Sequence, residues 1–408
     1  MLSPRVSSWG ALVAIGVALC LAPRRALAQG APDRVAVLTM GPGDHPFTRF
    51  GHNAILLEWD NGENAVYNFG TFEFDGLQGV EDFMAGRFRY WLSVGSLSGT
   101  LRSYAAARRA LSAQELSLSA AERGRLFAAL ADNARPEQRY YAYDYYQDNC
   151  STRVRDALNV VLGGALKQQV QGAGRLTYRQ HTLRLVGQAP LLYFGLDSAL
   201  GRPTDRPLSR WDELFLPQEL HDELARANRP GSGQPLVRAE RVLLTAERPP
   251  LPVLPPARTL PYGLLGACVG LSLAALGVGA ARSRTARVAL GALTALLGLL
   301  LGLLGAALLV FACSKHWAAH DNTSLLACPP WSLGLIWSGG RLARGRRSWP
   351  AIGLLLGASL LTSAALLAFA IPSPHEPLRQ AMLFVPLWAG WLYGAWRASG
   401  SPPLSRSS

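Results

Sequence analysis

The stretch from about residue 30 to residue 260 lacks a second cysteine, because Cys150 is the only one there. Within that stretch a disulfide framework is therefore excluded, although exported domains usually pair their cysteines. The other four are Cys20 near the start and Cys268, Cys313 and Cys328 in or beside apolar segments. A lone cysteine in such a setting is either an accident or a working thiol.

Acidic residues are also scarce. There are 27 of them against 40 basic ones, and nearly all of the formal charge of +13 comes from arginine. An apolar run over residues 10–22, followed by Ala26-Leu27-Ala28, predicts a secretory signal peptide over residues 1–28. Export argues against nucleic acid as a partner. Some arginines lie on predicted soluble helices and are interpreted as solvated faces, with attraction to anionic lipid headgroups as the alternative: Arg102, Arg108, Arg109, Arg123 and Arg125.

Residues 29–246 have a mixed, globular composition. The run 35–39 predicts a first strand, and runs 52–59 and 65–74 flank a turn with the residues of a hairpin. Ser112 with Glu115, and Ser119 with Glu122, predict two helix starts. Apolar spacing over 151–166 predicts a further helix. Cys150 would then lie at a helix N-terminus, where the macrodipole and free N–H groups favour a thiolate.

The last third of the chain carries long apolar runs. Residues 247–261 are rich in proline and predict a stiff linker. Beyond it the candidate spans are 262–281, 286–312, 351–371 and 381–396, with a shorter one at 325–340. Five crossings place every arginine-rich loop inside, whereas four would break the positive-inside tendency. The sequence therefore predicts a membrane domain over 262–397 with about five spans, and a cytoplasmic tail over 398–408.

A cysteine nucleophile needs a base that holds its proton. His52 begins an apolar strand-like run, so the pair fits the papain arrangement with histidine before cysteine. The predicted fold class is α+β: a circularly permuted papain-like (NlpC-type) domain followed by an all-α transmembrane bundle. A small buried core residue is the alternative for Cys150. His45 competes for the base role, and His181 and His221 are interpreted as surface residues.

The residue that orients the base depends on strand register. A five-residue loop at 60–64 puts Asn68 on the face of His52, whereas a four-residue loop puts Tyr67 and Thr71 there. Asn68 is chosen as the third catalytic candidate, because an amide can accept from the ring N–H.

Oxyanion stabilisation is expected mostly from the Cys150 N–H, with Asn149 or Gln147 nearby. Both side chains have helix capping as the alternative. Arg153 is a candidate for binding a phosphate headgroup, and an ion pair with Asp148 is its alternative.

A predicted outside loop in the membrane half holds His316 and His320, a two-ligand signal too weak for a metal site. His320, Asp321 and Asn322 are candidates for a substrate-side role. Cys313 and Cys328 bracket this loop and could pair. No cofactor and no metal is expected.

Three segments now suggest a family: Phe50-Gly51-His52-Asn53, the run 66–72 and Asp148-Asn149-Cys150-Ser151-Thr152-Arg153. With 195–205, 215–217 and 320–326 they resemble the Lnb family of bacterial lipoprotein N-acyltransferases. The resemblance implies a periplasmic papain-like domain on a helical membrane domain, in the bacterial inner membrane. It implies acyl transfer from a phospholipid donor to a diacylated lipoprotein, with Cys150 as nucleophile and His52 as base.

Three other classes stay open at this point. A phospholipase or thioesterase would share the first step and end it with water. A peptidoglycan amidase or peptidase would need at most one anchor, which five spans count against. A non-enzymatic membrane scaffold would make the Cys/His pair a coincidence.

Overall fold

A computed structural model of the chain describes residues 30–73, 76–346, 348–370 and 375–399. The predicted signal peptide and nearly all of the predicted tail lie outside these ranges. The chain divides into two compact units, each described by itself below. The first is Met1–Val186 with Pro207–Val253, and the second is Gly187–Arg206 with Leu254–Ser408.

The first unit is built on one antiparallel sheet of seven strands. They are β1 Arg34–Met40, β2 His52–Glu58, β3 Asn64–Phe72, β4 Arg89–Gly95, β5 Leu111–Leu116, β6 Tyr140–Ala142 and β7 Val237–Leu244. Their order across the sheet is β6-β4-β3-β2-β1-β5-β7. The predicted first strand and hairpin are confirmed.

The helices follow in chain order. They are α1 Gly76–Met84, α2 Leu97–Ala106, α3 Ala120–Asn133, α4 Cys150–Val161, α5 Ala165–Gln169, α6 Tyr178–Leu185, α7 Pro190–Ala199, α8 Arg210–Glu213, α9 Pro217–Arg226, α10 Thr259–Ala280, α11 Arg284–Ala312, α12 Ser324–Ala327, α13 Gly334–Ala343, α14 Trp349–Phe369 and α15 His375–Ser399. Helix α7 and helices α10 to α15 belong to the second unit. The architecture is α+β, as predicted.

One predicted helix start is right and the other is wrong. Ser119 caps α3, and Glu122 reciprocates in a capping box. Ser112 and Glu115 lie instead in β5, between β1 and β7. The alternation of buried Leu111 and Ala113 with Ser112 has the period of a strand, and this outweighs the local capping pattern.

Apolar side chains cover both faces of the sheet. On one face Ile55, Leu57 and Tyr67 share a core with α4 residues Val154 and Leu158. On the other face Leu38, Leu56 and Val66 form a second core, against which Tyr104 of α2 packs. The candidate site lies at the end of β2 that begins with His52.

The second unit contains the apolar helices. Among the described residues, three are long and apolar enough to cross a membrane: Thr259–Ala280, Arg284–Ala312 and Trp349–Phe369. The predicted short span 325–340 is divided between α12, a 3-10 turn at Pro330–Leu333 and α13. Helix α15 has 25 residues and packs against α10. The five-crossing topology stays a prediction.

Buried polar contacts tie α7 into the second unit. Arg379 donates from Nε and Nη2 to the two carboxylate oxygens of Asp197, at 2.9 and 2.6 Å. The Asn322 amide donates to the carbonyls of Ser198 and Ala199, at the end of α7. An ion pair removed from water is tolerated only when its geometry and hydrogen bonds compensate for desolvation. These contacts define the position of α7.

Candidate active site

Cys150 is the first residue of α4 and is buried, with 7% of its surface exposed. Asn149 caps the helix, because its side-chain oxygen accepts the N–H groups of Ser151 and Thr152 at 2.8 and 2.9 Å. The Thr152 hydroxyl in turn accepts the Asn149 N–H. The predicted position of Cys150 at a helix N-terminus is confirmed.

The thiol lies against a gap between two strands. Strands β2 and β3 pair from Glu58↔Asn64 only as far as Ile55↔Tyr67, so beyond this pair the strands separate. Burial raises the pKa of the Cys150 thiol, and the backbone N–H of Asn53, at this gap, acts to lower it. On the β3 side, a Cβ placed on Gly70 would lie 3.8 Å from the Cys150 Cβ. Helix α4, which begins at Cys150, packs against β2, the strand that begins at His52.

Gly51 sets the start of β2. Its φ of +84° lies in the left-handed region, and a Cβ there would come within 2.9 Å of the Met40 carbonyl oxygen. A residue with a side chain would therefore strain the backbone beside His52. The sharp turn before His52 depends on this glycine.

The register of the hairpin settles which side chain shares the face of His52. The loop is Trp59–Glu63, five residues between Glu58 and Asn64. Continuing the observed pairs places Asn68 opposite Ala54, on the same face as His52. Asn68 acts to raise the pKa of His52, against the larger lowering effects of burial and Arg109. The structure therefore places His52 and Asn68 on one face of the sheet, where Asn68 influences the imidazole.

The resting thiol and imidazole are both neutral near pH 7. Burial and the charge of Arg109 together lower the pKa of His52 to about 4, although Asn68 opposes them. Burial raises the pKa of Cys150, while the N–H groups of Asn53 and Ser151 and the charge of Arg109 act against it. The sequence favoured a thiolate on the basis of the helix N-terminus, but desolvation outweighs that effect here.

Arg109 is a member of this site that the sequence did not predict. It was interpreted as a solvated residue, which is wrong, because only 7% of it is exposed. Its Nε donates to the Gly41 carbonyl at 2.7 Å, and its guanidinium lies 4.7 Å from the Tyr104 ring centre. Its charge acts on both His52 and Cys150. No periodicity separates it from its exposed neighbour Arg108, so sequence gave no signal.

Tyr143 is a second member that sequence did not single out. Burial raises the pKa of Tyr143 well above the usual value, and the Cys150 backbone N–H acts against this. Its ring stacks on Tyr90, with 4.1 Å between centres. Tyr143 directly follows strand β6, Tyr140–Ala142.

Comparison with known protein families identifies the domain that holds this site. Residues 24–188 match the family model described as the Lnb N-terminal periplasmic domain. This chain carries an Lnb periplasmic domain. The matched residues include His52, Asn68, Arg109, Tyr143 and Cys150, and the resemblance drawn from sequence is confirmed. No curated protein and no solved structure matches the chain.

The Lnb domain and three apolar helices make this a membrane protein with a periplasmic domain. The family indicates an enzyme that modifies lipoproteins. Acyl donor, acceptor and thioester chemistry are finer statements, and they are taken up under the next heading.

Two polar candidates of the Lnb domain, Asn149 and Arg153, already form hydrogen bonds or ion pairs within the fold. Both amide N–H groups of Asn149 are used, by the carbonyls of Tyr145 and Phe215 at 2.8 and 2.9 Å. The capping alternative describes this side chain. Arg153 forms a two-pronged ion pair with Asp148, at 2.5 and 2.7 Å, and stacks 3.8 Å above the Tyr141 ring centre. The ion-pair alternative describes Arg153.

The remaining histidines of the Lnb domain and its neighbouring segment lie outside the site. His45 is exposed in a loop, against Phe47. His181 was interpreted as a surface residue, which is wrong, because it has no exposed surface. Its Nε2 bonds Glu213 at 2.9 Å and its Nδ1 accepts from Arg184 at 3.1 Å. Polar neighbours in the sequence concealed a buried ionic cluster.

The predicted substrate-side residues of the second unit have structural contacts. His320 Nε2 bonds the Ser314 carbonyl at 2.9 Å, and Asp321 has a φ of 49°. Asn322 is 6% exposed and bonds the end of α7. Cys313 and Cys328 are both free thiols, so they do not form the disulfide considered from sequence. A substrate role for 320–322 stays a prediction.

Proposed function

We propose that the chain is a thiol-dependent lipoprotein N-acyltransferase that takes its acyl chain from a phospholipid. One observation carries this proposal: inside an Lnb domain, buried Cys150 begins a helix that packs against β2, the strand that starts at His52. A buried cysteine at a capped helix start and a histidine on the adjoining strand, with Asn68 on the face of that histidine, fit the nucleophile–base–orienter arrangement of thiol enzymes.

The first step would form a thioester. His52 takes the thiol proton as the sulfur attacks the ester carbonyl, so an S–C bond forms. The C–O bond of the ester then breaks, and His52 returns the proton to the leaving oxygen, which releases lysophospholipid. A neutral imidazole is the form that can accept this proton, and a pKa of about 4 keeps His52 in that form.

Charge develops on the carbonyl oxygen during this attack. We assign the Cys150 N–H and the Tyr143 hydroxyl as donors for that oxygen, because the N–H favours the Cys150 thiolate and Tyr143 is electrostatically coupled to the same side chain. The raised pKa of Tyr143 keeps its proton in place for donation.

The second step would transfer the chain to an amine. The α-amino group of a diacylated lipoprotein attacks the thioester, so a C–N bond forms and the C–S bond breaks. His52 accepts the amine proton and returns it to the sulfur. The acyl chains of both substrates lie in the bilayer. Apolar helices long enough to span it would hold the enzyme in the same membrane.

The test uses the purified full chain with labelled phospholipid and a diacylated lipopeptide. We expect acyl-Cys150 and N-acylated peptide by mass spectrometry. Cys150→Ser should abolish both, whereas Cys268→Ser, which removes an exposed free thiol of the second unit, should leave both intact. Product from Cys150→Ser at the normal rate would refute the mechanism. Acyl-enzyme without amine transfer would favour the phospholipase or thioesterase, and cleaved wall peptide would favour the amidase.

A further inference from the structure

One guanidinium nitrogen of Arg109 is buried without a hydrogen-bond partner among the described residues. This atom is Nη2, and it is inaccessible to solvent. Burying a polar group without a partner is unfavourable by about 1–3 kcal/mol, and by more for a charged group. Such a group in a native site demands an explanation.

The rest of the guanidinium is firmly held. Nε donates to the Gly41 carbonyl at 2.7 Å, and the guanidinium lies over the Tyr104 ring, 4.7 Å from its centre. On the stem side, a Cβ at Gly43 would lie 3.2 Å from the Arg109 Cδ. The orientation of the free Nη2 is therefore preset, which is the property of a binding group and not of a mobile surface arginine.

The surroundings of Arg109 are short of negative charge. Arg248 is close enough to lower the pKa of Arg109. The nearby acid is Asp44. Both of its carboxylate oxygens already accept hydrogen bonds from Arg248, at 2.8 and 3.0 Å. Arg49 also acts on Asp44, and its own Nε is buried without a partner in the described part of the chain. Among the described residues, positive charge accumulates here and no carboxylate forms an ion pair with Arg109.

The position of this charge relative to the reacting groups defines its ligand. Arg109 donates to the Gly41 carbonyl, Gly41 follows Met40, the β1 partner of His52, and the charge of Arg109 acts on both His52 and Cys150, so an anion bound there would lie at the His52 end of β2. In a glycerophospholipid the phosphodiester is a few bonds from the ester carbonyl that the thiol would attack. Arginine binds phosphate oxygens through paired N–H groups, with charge-assisted bonds about twice as strong as neutral ones.

We infer that Arg109 binds the phosphodiester of the acyl donor and thereby selects glycerophospholipids over neutral glycerides. This inference rests on the proposed acyl transfer for its biological meaning, but the anion site itself does not. Bound phosphate would satisfy Nη2 and neutralise the excess positive charge. The donor ester would at the same time be brought to the sulfur. Arg109 would thus act through substrate contact and determine specificity.

The first measurement is binding without catalysis. Purified full-length protein in neutral detergent is titrated into glycerophosphoethanolamine, which has no acyl ester, while the ³¹P linewidth is followed. A parallel titration uses inorganic phosphate. We expect broadening of the phosphodiester signal by the wild type and by Arg102→Gln, which removes an exposed cation from α2. We expect at least a tenfold weaker affinity in Arg109→Gln and an intermediate value in Arg109→Lys.

The second measurement is acyl-Cys150 formation in a single turnover. Dioleoyl phosphatidylglycerol and dioleoylglycerol are offered separately in the same micelles. The wild type should react at least tenfold faster with the phospholipid. Arg109→Gln should lower the ratio of the phospholipid rate to the dioleoylglycerol rate toward one, and Arg109→Lys should regain part of it. Unfolding midpoints of all variants are compared, so that a folding defect is recognised.

The outcomes separate the two ideas. Equal wild-type rates on both donors, or an equal slowing of both by Arg109→Gln with a normal unfolding midpoint, would overturn the inference. Phosphodiester broadening that survives Arg109→Gln would overturn it as well. If inorganic phosphate binds as tightly as the phosphodiester, the site is for free phosphate and donor selection is refuted. If Arg109→Gln loses the phosphodiester broadening but the wild type forms no acyl-Cys150, the proposed function is refuted and the anion site stands.

Discussion

Cys150 begins helix α4, which packs against β2, and His52 is the first residue of that strand. Helix α4 packs on one face of the sheet, whereas His52 and Asn68 belong to the other face. Strands β2 and β3 stop pairing beyond Ile55 and Tyr67, at the end of β2 where His52 lies. We therefore place the candidate site at this gap in the sheet and not in a cleft between two layers.

The low pKa of His52 predicts an unusual pH profile for the reaction rate. Burial and Arg109 hold its pKa at about 4, so the neutral base persists when pH falls through 6.5. The rate of acyl-Cys150 formation at low donor concentration should hold to about pH 5 and fall to half near pH 4. A limb near pH 6.5 would contradict the assignment of His52 as base.

Asn68→Ala separates orientation from acidity. The Asn68 side chain acts to raise the pKa of His52, so removing it should move the acid limb of the pH profile to lower pH. The rate at pH 7 should fall by about 10-fold to 100-fold, because a base contributes about 10²–10⁴ only when it is well placed. Asn61→Ala, in the exposed hairpin loop, is the control. An unchanged rate in Asn68→Ala would remove Asn68 from the site.

Much of the reacting pair could be predicted from sequence because its determinants are local. Cys150 follows a strong capping residue and precedes apolar residues at helical spacing, so its helix-terminal position is readable. Asn68 required the hairpin register, which sequence left between two alternatives. Arg109 could not be predicted, since its burial depends on Gly41 and Tyr104, contacts made through the fold. The Ser112 helix failed because sheet pairing outweighed a local capping pattern.

Asn149 is expected to hold Cys150 in position as well as the helix. Asn149→Ala removes a cap, worth about 0.5–2 kcal/mol, and leaves two carbonyls without their donor, about 1–3 kcal/mol more. Unfolding of the full chain in detergent should therefore occur at a clearly lower temperature, and iodoacetamide should modify Cys150 faster. Asn149→Asp retains the acceptor of the cap and should lose less stability. Equal losses in the two variants would mean that the cap contributes little.

Glu213 should be among the most important residues for the stability of the first unit. It accepts from His181, from Arg210 and from the backbone N–H groups of Arg175 and Leu176. Although burial acts to raise its pKa, these bonds hold the pKa at about 2. Glu213→Gln should destabilise by about 3–5 kcal/mol, the range for breaking a buried ion pair. Glu137→Gln, at an exposed site, should change the unfolding temperature little; similar effects of both variants would contradict this role.

His181 adds a pH dependence to the same cluster. Burial lowers its pKa and Arg184 adds to this, whereas Glu213 opposes it. The unfolded chain therefore binds the proton first, and stability is lost as pH falls from about 6.5 toward the lower folded pKa. The unfolding temperature should drop between pH 7 and pH 5. In His181→Gln, which starts from lower stability, the drop over this window should be smaller. An equal or steeper drop in the variant would show that another group is responsible.

Two glycines of the second unit offer a paired test of how tightly the end of α7 is packed. A Cβ on Gly201 would lie 1.7 Å from the His320 carbonyl oxygen, whereas one on Gly195 meets nothing within 4 Å. The Gly201 N–H also donates to the Ala318 carbonyl, so this backbone cannot retreat without losing a hydrogen bond. Gly201→Ala should therefore lower the unfolding temperature and the yield of folded protein. Gly195→Ala lies within a helix and should be neutral or stabilising by up to about 1 kcal/mol. Tolerance of alanine at both positions would mean that the loop 317–322 yields readily, and the substrate role predicted for His320, Asp321 and Asn322 would then have to be sought in a mobile segment instead of a packed one.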